Sequence, residues 1–252
     1  MLKVDHLTLR FEGLIATNDI CMNVEDHYVT ALIGPNGAGK TTLFNQIAGV
    51  YKPESGKIYL DNEDITGLKP FQICQKGITR TYQVIKLFSG MSCLDNVRVG
   101  MHTKLGQNFW QDIFHSRKMR AEEKEGLDKA HSLLQLVGLD QYASYPAGAL
   151  AYGQQRLIEI ARALASDPKI VLLDEPAAGM NTREKMDLNE KIREIIEMGT
   201  TVLLVEHDMS LVMNIADKIY VINSGKNLAE GTPAEIAANP EVIEAYLGRG
   251  DF

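Results

Sequence analysis

The run Gly34-Pro35-Asn36-Gly37-Ala38-Gly39-Lys40-Thr41, extended by Thr42, fits the pattern G-x-x-x-x-G-K-[ST]. Residues of these types at this spacing can hold phosphate. The glycines let backbone N–H groups turn inward and approach phosphate oxygens with no Cβ in the way. Lys40 adds a mobile positive charge for the β- and γ-phosphates, and the Thr41 hydroxyl can ligate Mg²⁺. The bland alternative is a glycine-rich turn that binds nothing. A second pair, Asp174-Glu175, ends the apolar run Ile170-Val171-Leu172-Leu173. There Asp174 would hold Mg²⁺ through water and Glu175 would polarise an attacking water. His207 lies just past another apolar run, Thr201-Val202-Leu203-Leu204-Val205, and would stand beside the γ-phosphate. A fourth stretch, Leu150-Ala151-Tyr152-Gly153-Gln154, precedes an amphipathic segment. A small residue and a glycine at a helix N-terminus can make an anion site; a plain helix start is the alternative.

The elements that must position these residues can also be read. Tyr28 to Ile33 reads as a buried strand entering the glycine loop, and Thr42 to Ala48 as the helix leaving it, its positive end toward the phosphates. The runs at 170–173, 201–205 and 219–222 look like buried parallel strands. Such strands deliver their last residues to the carboxyl edge of the sheet, where ligands sit in open α/β folds. Residues 2–33 carry short strand-like stretches with turns such as Glu12-Gly13. Lys57 to Asp61 and Gly77 to Gln83 read as further strands. From about Ser92 to Ser166 the pattern turns helical, with Leu127, Ala130, Leu134 and Val137 on one face and Leu157, Ile160, Ala161 and Leu164 on another. Between Met101 and Glu125 lies a charge-dense stretch that holds the only tryptophan, Trp110, and the basic run His115 to Arg120. A solvated helix face or a partner-docking segment are the two readings. The C-terminal part closes with two short helices, the first beginning Thr232-Pro233-Ala234-Glu235 with a capping box.

The 252 residues suit one large domain or two small ones. A net charge of −7 argues against a dedicated nucleic-acid binder. The three cysteines, Cys21, Cys74 and Cys93, suggest neither a disulfide framework nor a zinc site and fit a reducing compartment. Met1 to Asp5 alternates like a strand, so no secretory leader is expected. No apolar run approaches the roughly 18–20 residues of a membrane span. Membrane association, if any, must come through a partner.

Taken in order, these motifs resemble the nucleotide-binding subunit of ABC transporters, over essentially the whole chain. The resemblance implies an α/β fold: a P-loop NTPase core with an N-terminal antiparallel β subdomain and an inserted α-helical subdomain. Residues 1–83 and 166–252 would form the core and β subdomain, and 84–165 the insert with its signature loop. It further implies that Gly34 to Thr42 bind ATP, that Asp174 and Glu175 are the Walker B aspartate and catalytic glutamate, and that His207 is the switch histidine. Gln83 falls at the Q-loop glutamine, which with Thr41 and Asp174 would organise Mg²⁺. Phe11 is placed like the aromatic residue that stacks on adenine, with simple packing as the other reading.

Two departures stand out. The signature loop usually reads Leu-Ser-Gly-Gly-Gln; here Ala151 lacks the hydroxyl and Tyr152 replaces a glycine. The lost hydrogen bond to a charged group corresponds to roughly 1.5–3 kcal/mol. The loop after Walker B usually ends in aspartate across the dimer interface, where this chain has Asn181. Those departures, with Phe11 to Ala16 and Arg80-Thr81-Tyr82-Gln83, look like the ATPase subunits of bacterial high-affinity branched-chain amino acid importers. The implied partners are a second, related ABC ATPase subunit (a LivF-like heterodimer, or a homodimer), two transmembrane permease subunits and, indirectly, a substrate-binding protein. The implied place is peripheral, on the cytoplasmic face of the inner membrane. Other solutes such as urea, lipopolysaccharide export, and a non-transport ABC ATPase in cofactor assembly share the same ATP chemistry.

Overall fold

The computed structural model describes residues 1–101 and 117–247, the side chains of 117–122 and of Leu247 aside. Trp110 lies outside the described residues, as does the start of the basic run at 115–116.

Two sheets organise the chain. The first is antiparallel, in the order β2-β1-β4-β5, from β1 (Leu2–Phe11), β2 (Leu14–Val24), β4 (Ser55–Leu60) and β5 (Glu63–Asp64). The second has the order β10-β9-β3-β8-β7-β6. Its strands β3 (Val29–Ile33), β6 (Ile78–Arg80), β7 (Ile170–Asp174), β8 (Thr201–Val205) and β9 (Lys218–Asn223) run parallel, and β10 (Lys226–Gly231) closes one edge antiparallel. All residues of β3, β7 and β8 are buried. Continuous burial requires apolar cover on both faces, as in parallel sheets generally.

That cover is two cores separated by the pleat. Leu32, Leu172, Leu203 and Tyr220 point to one side, where they meet Leu43, Phe44 and Ile47 of α1 (Lys40–Ile47) and the inner face of the antiparallel sheet. Ala31, Ile33, Val171, Leu173 and Leu204 point to the other, into a core built with α3 (Cys93–Val99), α4 (Arg117–Leu136), α5 (Tyr152–Leu164), α6 (Thr182–Glu197), α7 (Met209–Ile215), α8 (Pro233–Ala237) and α9 (Pro240–Leu247). Ile73 of α2 (Pro70–Lys76) packs in the first core with α1. Helices α3 to α5 are inserted between β6 and β7, which pair directly with one another.

Some local expectations shift. The strand read at 77–83 is only Ile78–Arg80, because the chain turns away before Gln83. Along α4 and just past its end the buried stripe is Ala130, Leu133, Leu134 and Val137, whereas Leu127 is 36% exposed. Leu133 completes the i, i+3, i+4, i+7 spacing that Leu127 does not extend. The capping box at Thr232 forms as read, with Thr232 Oγ accepting from the Glu235 amide. Among the described residues no helix is long and apolar enough to cross a membrane.

Candidate active site

The strand–loop–helix from β3 into α1 sets the phosphate loop. Gly34 has φ 154°, and a Cβ there would fall 2.0 Å from the Ile222 carbonyl oxygen. Gly39, with φ 103°, caps α1, and a Cβ there would lie 2.3 Å from the Ala16 carbonyl oxygen. Only glycine satisfies both the dihedral and the close approach. Gly37, also at positive φ, faces open space. Ala38 packs into the core beside α1. Asn36, Gly37 and Thr41 are exposed, Gly39 and Thr42 half-buried, and Gly34, Pro35 and Lys40 buried. Lys40 Nζ donates to the Gly34 carbonyl at 2.6 Å and the Pro35 carbonyl at 3.0 Å, so the cation is folded over its own loop. Burial lowers its pKa, and the nearby Glu175 charge opposes that shift.

The carboxyl ends of β7 and β8 bring the other residues alongside. Asp174 is 2% exposed, and its backbone N–H donates to Thr81 Oγ1 at 3.2 Å. Arg80 Nη2 donates to Asp174 Oδ2 at 3.1 Å, while Arg80 Nη1 donates to Asn45 Oδ1 of α1 at 2.7 Å. Burial pushes the Asp174 carboxyl up and the Arg80 guanidinium pulls it back. Glu175 adopts φ 50°. Its Oε1 lies 3.1 Å from the Gln83 Nε2 donor and 2.5 Å from His207 Nε2. Lys40, Gln83, Asp174, Glu175 and His207 thus gather at one sheet edge, though their numbers span most of the chain.

Three groups from the sequence reading stand elsewhere. Phe11 is 41% exposed at the end of β1, edge-on to Tyr51 with ring centroids 5.2 Å apart. Leu150 is buried, and Ala151 is the N-cap of α5 with no side chain to offer; its N–H donates to Gln154 Oε1 at 3.1 Å. Tyr152 is 49% exposed and Gly153 is buried. This loop does not face the chain's own Lys40 cluster through any hydrogen bond among the described residues, but its helix is tied to Gln83 through Arg156. Asn181 is the N-cap of α6, where Oδ1 accepts from the Glu184 N–H at 3.0 Å and its own N–H donates to Glu184 Oε2 at 2.8 Å. Its hydrogen-bonding oxygen therefore already has a local partner.

Sequence reasoning missed Arg80, Tyr51, Arg156 and Glu206. Glu206, 4% exposed, accepts from the Ala177 N–H at 2.8 Å and the His207 N–H at 3.1 Å, tying the loop after Asp174-Glu175 to the histidine loop. Its signal in the sequence was a charged residue immediately after a mostly apolar strand.

A glycine loop closing on a helix N-terminus, a lysine folded over it, and a carboxylate pair at the adjoining strand end define a P-loop nucleotide-binding ATPase. The two-sheet core with helices α3 to α5 inserted between β6 and β7 is the ABC form of it. Comparison with known proteins agrees. Residues 17–178 match the family "ABC transporter", and residues 226–251 match "Branched-chain amino acid ATP-binding cassette transporter". The chain is 48% identical to the high-affinity branched-chain amino acid transport ATP-binding protein BraF of Pseudomonas aeruginosa and 45% identical to LivG of Escherichia coli, each covering 98% of both chains. It is also similar to solved ATP-binding cassettes of ABC transporters, one nucleotide-free (TM-score 0.84) and one in its ADP conformation (TM-score 0.85). Both are 31% identical, with 98% of each chain covered. The chain belongs to the ABC transporter ATP-binding family.

Proposed function

We propose that this chain is the ATP-hydrolysing subunit of an ABC importer that takes up leucine, isoleucine and valine. The observation that carries the ATPase reading is Glu175, held between Gln83 and His207 beside the phosphate loop. The substrate class rests on what its relatives are named for.

In this reading ATP lies along Gly34 to Thr42. Lys40 leaves the Gly34 and Pro35 carbonyls and pairs with the β- and γ-phosphates. Phe11 stacks on the adenine. Among the described residues no cluster of three or more His, Cys, Asp or Glu could hold a metal ion alone. That suits Mg²⁺, which is usually held by one or two protein oxygens plus substrate phosphates. Thr41, Asp174 and Gln83 supply hard oxygen donors for it, and the ion would neutralise charge on the phosphates. Glu175 accepts a proton from the attacking water, and His207 Nε2 holds that carboxylate in place. Residues 1–83 and 166–252 act as the core and 84–165 as the insert that meets transmembrane subunits. A second ATPase subunit, LivF-like in this reading, closes over the nucleotide with its signature loop, while Leu150 to Gln154 and Asn181 of this chain face the partner's site. The chain then sits peripherally on the cytoplasmic face of the membrane.

The test pairs ATP turnover with uptake of labelled leucine, isoleucine and valine, urea serving as comparison, in cells carrying wild-type or Glu175→Gln protein at equal membrane levels. Loss of a positioned general base lowers turnover about 10²–10⁴-fold, with ATP binding retained. Selective loss of branched-chain uptake supports the substrate class. Unchanged turnover removes Glu175 from its role, and unchanged uptake without a redundant importer removes the substrate.

A further inference from the structure

Arg156 is fully buried, one turn into α5, with the half-exposed Tyr152 before it. Its guanidinium reaches out of the helix to the backbone that carries Gln83. Nη1 donates to the Tyr82 carbonyl, and Nη2 donates to the Gln83 carbonyl at 2.7 Å. Nη1 also donates to Glu159 Oε2 at 3.0 Å, so the buried charge is neutralised within the helix. Glu159 continues the seam. Its Oε1 accepts from the Lys86 N–H at 2.8 Å, and Arg162 Nη1 donates to the Lys86 carbonyl at 2.6 Å. The segment 82–86 is thereby strapped along α5 by its backbone, independent of its exposed side chains.

The other end of the strap is Tyr152. Its hydroxyl lies 3.3 Å from Arg156 Nη2, and the guanidinium carbon sits 5.7 Å from the ring centroid. Its ring covers Gly179, where a Cβ would fall 3.1 Å from Tyr152 Cδ1. Gly179 has φ 76° and lies in the loop between Glu175 and α6. A glycine at position 152, the usual residue of the family loop, could make none of these contacts.

We propose that Arg156 is a positioning residue that holds Gln83 against Glu175, and that Tyr152 extends this hold to the loop following Glu175. The signature helix, the Gln83 segment and the Gly179 loop then move as one body. A guanidinium can do this because its planar fork donates to two carbonyls at once, whereas an ammonium is a point donor. The chain of bonds from Tyr152 through Arg156 and Gln83 to Glu175 is continuous. Displacement of Gln83 at this chain's own nucleotide is thus felt by the loop it offers to a second subunit. The inference rests on the proposed role of Gln83 and Glu175 in ATP hydrolysis.

Energetic coupling decides it. The full chain, recovered in detergent with its associated subunits, would be compared as wild type, Arg156→Lys, Gln83→Ala and the double variant. Steady-state kcat and KM, fluorescent-nucleotide binding and the thermal melt are read for each. Arg156→Lys keeps the charge opposite Glu159 but gives up one carbonyl. Losing such a charged hydrogen bond lowers kcat about tenfold, with KM and nucleotide affinity within about twofold. In the Gln83→Ala background the same change costs less than about twofold, because contacting residues in one network are non-additive. Equal factors in both backgrounds, or an effect on KM instead of kcat, would overturn the proposal. Should Arg156→Lys fail to fold, Tyr152→Phe takes its place in the cycle. It keeps the ring over Gly179, removes only the hydroxyl, and is expected to lower kcat about two- to fivefold; wild-type turnover, or equal factors in both backgrounds, would be just as fatal. Turnover that survives Glu175→Gln marks failure of the underlying hydrolysis reading instead. Turnover that needs Glu175 but ignores Arg156 and Tyr152 sinks the positioning role alone.

Discussion

Glu175 occupies the left-handed backbone region, which a non-glycine residue enters at a cost of about 1–3 kcal/mol. Its amide is fixed by the Val205 carbonyl at 2.9 Å, so the β7–β8 pairing bears that strain and aims the carboxylate toward Gln83 and His207. The neighbouring Glu206 is fixed by a different device. It is buried and, among the described residues, held by backbone donors, and burial raises its pKa above the ordinary 4.5. Between the unfolded and the raised folded value the native state binds more protons, so stability falls as pH rises through that window. Glu206→Gln removes this titration and keeps an oxygen for the Ala177 or His207 amide. Measured by thermal melts, Glu206→Gln should gain on the wild type as pH rises from about 4 to 7. A difference in melting temperature that stays flat across that range would show that Glu206 is not held as an unfavourable buried charge.

At the scale of elements, the short loops matter more than the helices they start. Asn181 closes a reciprocal capping box with Glu184 at the head of α6. Asn181→Ala should therefore cost about 1 kcal/mol of stability, and Asn181→Asp much less, since the acceptor survives. Urea melts of the two variants separate this from a role across a subunit interface, which would lower turnover without moving the midpoint. The same contrast explains what could be read from sequence. The phosphate loop, Asp174-Glu175 and His207 were legible because each lies within or immediately after a short run whose pattern declares strand, turn or helix. Arg80, Arg156 and Glu206 were not. Their partners lie 94, 73 or 74, and 29 residues away, and only the sheet order brings β6, β7 and β8 together. Tyr51 was missed for a related reason, since nothing near it in sequence marks Phe11 as its partner. Leu127 shares the face of Ala130 but lies outside its cover, because periodicity identifies a stripe and not where along the helix cover ends.

At the scale of the whole molecule, the proposed membrane role calls for a surface that meets other subunits. The net charge is −7, and no described helix is long and apolar enough to span a bilayer. Just past Gln83, Val84 is 71% and Phe88 52% exposed. Phe88 is presented rigidly: its N–H donates to Asn96 Oδ1 at 2.9 Å and its carbonyl accepts from Asn96 Nδ2 at 3.0 Å, with Asn96 itself fully buried. An apolar ring held out by a fixed backbone gives up little conformational freedom on docking, which favours binding. Phe88→Glu leaves the Asn96 clamp intact, so the variant should fold and melt as the wild type does. Nucleotide binding by the isolated chain should stay within about twofold, since surface changes away from buried features are usually near neutral. Recovery with the membrane subunits in detergent should fall at least about tenfold, the loss expected when an interface anchor is replaced by a charge. Copurification at wild-type levels would show that the segment after Gln83 does not dock, and would move the search for the membrane-facing surface elsewhere on the chain.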